Sequence, residues 1–196
     1  MSFLNTIADG EAQGLVKEQY DAALKGNGYV PGYVKAFSLR PEVYEAWGKL
    51  IGAIRGNMRL RRYELVTFAS AMALECTYCL VAHAMVLRNN FFSPEEIAAI
   101  VKDYRNAGLA PDEVAVMALA QKIIRKAHQV SEADFEELRG LGLSDAEIFD
   151  VVLACTARSF FSKTLDATGA VPDEAYQELG PELLALLSMG RSFPVR

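Results

Sequence analysis

ELVTFASAMALECTYCLVAH, residues 64–83, is the stretch on which the reading of this chain turns. It contains Cys76-Thr77-Tyr78-Cys79, a C-x-x-C pair, and His83 four residues after the second cysteine. On a helix these residues stand at i, i+3 and i+7, within one narrow stripe. Two thiols and a titratable imidazole therefore share one face.

No Pro or Gly interrupts residues 59–88, and thirty residues is long for a helix in a globular protein. A reversal about Ala73-Leu74, the midpoint of 64 and 83, makes a helical hairpin that brings Glu64 opposite His83. In one straight helix Glu64 and Cys76 would lie about 18 Å apart along the axis and could not cooperate. The same break leaves Cys76 and Cys79 in the first turn of the second helix. Free amide donors and the positive dipole end favour a thiolate there. The stretch thus permits a relay from carboxylate to imidazole to thiol, with a second thiol one turn away.

Of the 196 residues, 52% are hydrophobic and 23% charged, which suits one globular domain with ample length for a core. The net charge of −5 argues against nucleic acid as a general partner, since phosphate binding needs a basic surface. MSFLNTIADGEAQG has neither a basic start nor an apolar run, so no signal peptide is expected. No window approaches twenty uninterrupted apolar residues, so no membrane association is expected either. Three cysteines do not suit a secreted disulfide framework; a cytoplasmic location with redox or metal chemistry is the expectation.

Helical periodicity and helix stop signals run through the chain, and alternating strand patterns are almost absent. Helices are expected over Glu11 to Lys25, from Pro31 through Phe37, and from Pro41 to Arg55, with Gly56-Asn57 closing the third. After the hairpin, which extends to Asn89-Asn90, Ser93-Pro94-Glu95-Glu96 opens a helix to Tyr104. Pro111 to His128 is the next helix. Ser131 opens another that stops at Gly140, and the capping box at Ser144 leads into a long apolar helix to Thr168. Pro172-Asp173-Glu174 begins the last helix, and residues 189–196 read as a loose tail. A single all-α domain over residues 1–196 follows. Sliding 147–167 over 64–84 pairs Ser162 with Cys79 and Asp166 with His83, a faint hint of a duplicated hairpin.

The pattern of Glu64, Cys76, Cys79 and His83 resembles the alkylhydroperoxidase-D-like (AhpD-like) branch of the carboxymuconolactone decarboxylase superfamily. Val30-Pro31-Gly32, Pro41-Glu42-Val43, Thr168-Gly169 and Pro172-Asp173 agree with it, and the resemblance covers roughly residues 28–175. It implies an all-α fold assembling as a homo-oligomer, trimer or hexamer, and a thiol peroxidase or disulfide reductase with no metal or organic cofactor. In that mechanism Cys79 attacks a small hydroperoxide, Cys76 resolves the sulfenic acid into a disulfide, and His83 with Glu64 moves the proton through water. A dithiol donor, in some members a lipoyl carrier, returns the enzyme to its thiol form. The best-known members have histidine directly before the second cysteine, where this chain has Tyr78. A phenol near pKa 10 cannot replace an imidazole as a base at neutral pH.

Other readings of the same residues stay open at this stage. Cys76, Cys79, His83 and Glu64 have believable spacing for zinc. The thiols could serve a redox-sensing subunit without turnover, or be incidental to a decarboxylase-type lyase. Glu64 on its own would be a solvated residue at an exposed helix start, because Arg61 and Arg62 adjoin it. Those arginines, with Arg59, would meet an acidic partner, solvent or another subunit. Cys155 in VVLACTARSFF reads as a buried structural cysteine, His128 as a partner for a helix dipole, and Phe91-Phe92 and Phe160-Phe161 as core or subunit contacts.

Overall fold

The computed structural model describes residues 2–193, which form ten α-helices and, among the described residues, no β-strand. They are α1 (Gly14–Asn27), α2 (Gly32–Ala36), α3 (Pro41–Gly56), α4 (Leu60–Leu74), α5 (Thr77–Asn90), α6 (Pro94–Asp103), α7 (Pro111–Lys126), α8 (Glu132–Gly140), α9 (Asp145–Ala167) and α10 (Pro181–Leu187).

Helix α4 is the axis of the molecule, with α5, α7 and α9 packed around it. Its residues from Tyr63 to Ala71 are all buried, so it has no solvent face to give it amphipathic periodicity. Leu65, Val66 and Phe68 are fully enclosed, each worth about 1.5–3 kcal/mol of apolar burial. The two hydroxyls within this run are satisfied along the helix itself. Thr67 donates to the Tyr63 carbonyl at 2.8 Å and Ser70 to that of Val66 at 2.8 Å.

The exposed end of α4 is tied down inside the same chain. Arg61 makes a two-pronged bond to Glu113 at the start of α7, at 2.5 and 3.0 Å. Arg62 reaches Glu147 in the first turn of α9 at 2.8 Å. The two arginines therefore hold three helix starts in register, with the Arg61 side chain still partly open to solvent. Both glutamates also cap their own helices by accepting the Ala110 and Ser144 N–H groups, which holds the carboxylates from a second side.

The expected reversal is present one residue later than the midpoint. Helix α4 ends at Leu74, and Glu75 turns the chain with φ 55°, the one non-glycine residue at positive φ among those described. Cys76 then caps α5. The second copy of the hairpin does not exist: α9 runs unbroken across the aligned stretch. Residues 174–179 form a 3-10 segment, not the last helix, because Gly180-Pro181 interrupts the pattern and restarts it as α10. Nor are residues 189–193 loose. Phe193 is buried, and the Gly190 N–H donates to Thr77 Oγ1 at 3.1 Å; residues 194–196 lie outside the described residues. No helix among the described residues is long and apolar enough to cross a membrane.

Candidate active site

Helices α4 and α5 carry the four residues singled out from the sequence, with Cys76 and Cys79 at the turn between them and Glu64 paired with His83 further along the two helices. Glu64 is 3% exposed and not solvated, because the bonds of Arg61 and Arg62 hold the preceding turn at the surface while Glu64 points inward. Its carboxylate lies 2.6 Å from His83 Nδ1 on the facing helix. With the carboxylate as acceptor, Nδ1 carries the proton and Nε2 is left available to a reacting group. Thr67 Oγ1, 3.3 Å from the same nitrogen, holds the ring from a second direction. A carboxylate so enclosed needs such partners, since an unpaired buried charge is strongly destabilising.

Cys76 and Cys79 are buried, with no disulfide between them in this structure. Cys79 occupies the first turn of α5, where its sulfur accepts a hydrogen bond from Ser162 Oγ at 3.1 Å and faces Arg158 Nη1 at 4.0 Å. The hydrogen bond from Cys76, then the positive charge of Arg158, the Ser162 hydroxyl and the charge of His83 oppose burial. They lower the Cys79 thiol from an ordinary 9.0 to about 6. Cys76 moves the other way, chiefly because it spends its proton on Cys79 and because it is buried. The two thiols are thereby divided into a ready thiolate and a protonated partner, the asymmetry a nucleophile and a resolving thiol require.

Arg158 and Ser162 belong to α9 and were not anticipated from the sequence. The faint pairing of Ser162 with Cys79 in the shifted alignment was a signal of a kind, because the two side chains do touch. Arg158 announced itself only as the single charge in VVLACTARSFF. It is 5% exposed. Although burial disfavours its charge, the Cys79 thiolate and Tyr63 keep it protonated. A unit charge 4 Å away contributes about 4 kcal/mol at an effective dielectric near 20. Arg158 thus outranks His83 as the source of the thiolate. Among the described residues no hydrogen bond joins His83 to either sulfur; the imidazole acts on Cys79 only through its charge.

Tyr78, between the two cysteines, points away from them. Its hydroxyl donates to Asp173 and accepts the Tyr33 N–H at 3.1 Å, while Asp173 also accepts the Gly32 N–H at 2.8 Å. Burial first, then the charge of Asp173, pushes the phenol far above its ordinary value. It ties α5 to the Pro31-Gly32 and Pro172-Asp173 segments and is no acid or base.

The remaining candidates have plain roles. Cys155 is fully buried and its thiol is pushed up to about 12 by desolvation, an inert core cysteine. His128 is exposed in a 3-10 turn after α7. Phe92 and Phe161 are buried, whereas Phe160 is largely exposed. Among the described residues no group of three or more His, Cys, Asp or Glu side chains is disposed to hold a metal ion.

Comparison with known proteins agrees with this architecture. Residues 41–122 match the carboxymuconolactone decarboxylase family. A search of curated proteins finds no match. Among solved structures, the alkylhydroperoxidase AhpD core of an uncharacterized peroxidase-related protein from Ralstonia eutropha JMP134 superposes with a TM-score of 0.81 at 23% identity. That match covers 89% of this chain and 94% of the other. An uncharacterized peroxidase-related protein from Silicibacter sp. TM1040 gives 0.75 at 22% identity, covering 89% and 90%. The debrominase Bmp8 gives 0.74 at 15% identity, covering 91% and 96%. The chain thus shares the all-α fold of the AhpD core structure, and its segment 41–122 is similar to the carboxymuconolactone decarboxylase family.

Proposed function

We propose that this protein is a thiol-dependent peroxidase that reduces hydroperoxides through Cys79 and Cys76. The observation that carries the reading is the division of the thiol pair, with a Cys79 thiolate already favoured near neutral pH and a protonated Cys76 bonded to it. The peroxidase-related names of the Ralstonia and Silicibacter structures point the same way.

The chemistry runs in three steps. The Cys79 thiolate attacks the distal oxygen of a hydroperoxide; an S–O bond forms, the O–O bond breaks and an alkoxide leaves. His83 Nε2 or a water it orients supplies the proton, and Glu64 stabilises the imidazolium that does so. Cys76 then attacks the Cys79 sulfenic acid as its own proton is lost. The S–S bond forms, and the S–OH oxygen departs with a proton as water. Finally a dithiol, small or carried on a lipoyl group, reduces the disulfide by two thiol exchanges and is itself oxidised. No organic cofactor takes part. The working form is a cytoplasmic homo-oligomer acting on small substrates, not on nucleic acid or membranes.

The test is a thiol count before and after one equivalent of cumene hydroperoxide, followed by peroxide loss with dihydrolipoamide present. Loss of two thiols with sustained turnover is expected. Two thiols lost without turnover with any dithiol would replace the peroxidase with a redox-sensing subunit. Retention of both thiols would end the thiol-based reading.

A further inference from the structure

Two buried N–H groups beside the thiol pair have no acceptor among the described residues: Arg158 Nε and Trp47 Nε1. Buried donors are seldom left so, because desolvation without a partner is destabilising. Their setting is specific. The Arg158 guanidinium carbon lies 5.6 Å from the Phe161 ring centroid and 5.9 Å from that of Trp47. The two rings stack at 4.1 Å. One arm of the guanidinium, Nη1, faces the Cys79 sulfur at 4.0 Å. Its Nε remains unmatched in the same corner as the indole. Trp47 is only partly buried, so its side of this corner reaches solvent.

Two donors, a fixed positive charge and flat apolar walls lack one complement, an oxygen acceptor bearing negative charge on an aromatic body. We infer that Arg158 and Trp47 form an oxyanion subsite beside Cys79, which takes the carboxylate or phenolate oxygen of an aryl-bearing substrate. The guanidinium has enough donors to face the thiolate through one arm and the substrate oxygen through Nε. The inference rests on the proposed function in taking Cys79 as the reacting thiol, and it narrows the substrate to aromatic acids or phenols carrying the reducible group. The stacked rings supply the aryl contact, and the indole N–H selects an oxygen over a methyl at the same place.

Alkylation tests this without peroxide, so a failed peroxidase assay leaves it intact. In the Cys76→Ser protein at pH 8, the rates of Cys79 alkylation by iodoacetate and by neutral iodoacetamide are compared, with the labelled peptide assigned by mass spectrometry. Iodoacetamide corrects for thiolate fraction and for access to the buried sulfur. Arg158→Gln is expected to lower the iodoacetate-to-iodoacetamide ratio about tenfold, the size of one charge-assisted hydrogen bond. Trp47→Phe, which keeps the ring stack and loses only the donor, should lower it about threefold. Benzoate should protect Cys79 from iodoacetamide better than acetate does, and both variants should lose that protection. If Arg158→Gln fails to fold, Trp47→Phe and Arg158→Lys carry the test alone. An unchanged ratio, equal protection by acetate and benzoate, or no labelling of Cys79 by either reagent would overturn the subsite.

Discussion

The Tyr78 hydroxyl donates to the Asp173 carboxylate, joining the residue between the two cysteines to one 95 positions further along the chain. The flanking segments that accompany the cysteine motif in the sequence thus converge on one phenol. Tyr78→Phe removes this bond and leaves the Tyr33 N–H without its acceptor, at a cost of about 1–3 kcal/mol. A drop in Tm of several degrees follows for a domain of this size. The pH midpoint of Cys79 alkylation should stay near 6. A displaced midpoint with unchanged Tm would show instead that Tyr78 takes part in proton transfer.

Alkylation of Cys79 by iodoacetamide should follow its thiolate. Because the folded-state value is depressed to about 6, the rate should reach half its plateau near pH 6 and be flat above pH 7. An ordinary thiol would still be climbing at pH 9. Arg158→Met removes the nearest positive charge, so protonation becomes easier and the midpoint moves upward. Ser162→Ala, which removes one neutral hydrogen bond, should move it less. A midpoint at pH 8 or above in the unmodified protein would contradict the division of the thiol pair.

His83 and Glu64 separate through conservative variants. Glu64→Gln keeps an acceptor for Nδ1 and removes the charge that supports an imidazolium, so peroxide reduction should slow with little loss of stability. His83→Gln removes the proton donor and should lower the rate by about 10²–10⁴. His83→Ala is less informative, since it strands a buried carboxylate and destabilises by about 3–5 kcal/mol. Stopped-flow oxidation of Cys79 measures the effect directly; equal rates in wild type and His83→Gln would remove the imidazole from the proton path.

Gly190 lies against the turn that precedes α5, and a methyl group there would collide with the Glu75 carbonyl oxygen. Gly190→Ala should lift residues 189–193 from Thr77, at a cost of about 1–3 kcal/mol, and speed alkylation of Cys76. Mass spectrometry of the 63–88 tryptic peptide would resolve which thiol gains. Unchanged labelling of both would show that this segment does not limit access.

Much of this arrangement was legible before the fold was known, for local reasons. Proline at N1 and capping boxes at Ser93 and Ser144 act within one turn, so those helix starts could be placed from sequence. The hairpin followed from a length argument, and Glu64 opposite His83 followed from the hairpin. What escaped the sequence depended on contacts between distant segments. Arg158 and Ser162 matter because α9 crosses α5, which no spacing within either helix encodes. Arg61 and Arg62 looked solvated because Glu113 and Glu147, their partners, lie 52 and 85 positions away. The end of the chain was misread because Gly180-Pro181 resets a helix whose apolar residues continue the pattern on either side.

The turn at Glu75 makes chain length an exact specification at this one place. A single left-handed residue links the end of α4 to the cap of α5, at a strain of about 1 kcal/mol for a side chain larger than glycine. Each residue of a helix advances about 100° and 1.5 Å. One residue added ahead of Cys76 would, if absorbed by α5, swing His83 about a quarter-turn from Glu64 and carry Cys79 off the Arg158 and Ser162 side of α9. The surface loops between the other helices can gain or lose residues without such a consequence. Here an insertion would leave every functional side chain in the chain and dismantle the group they form.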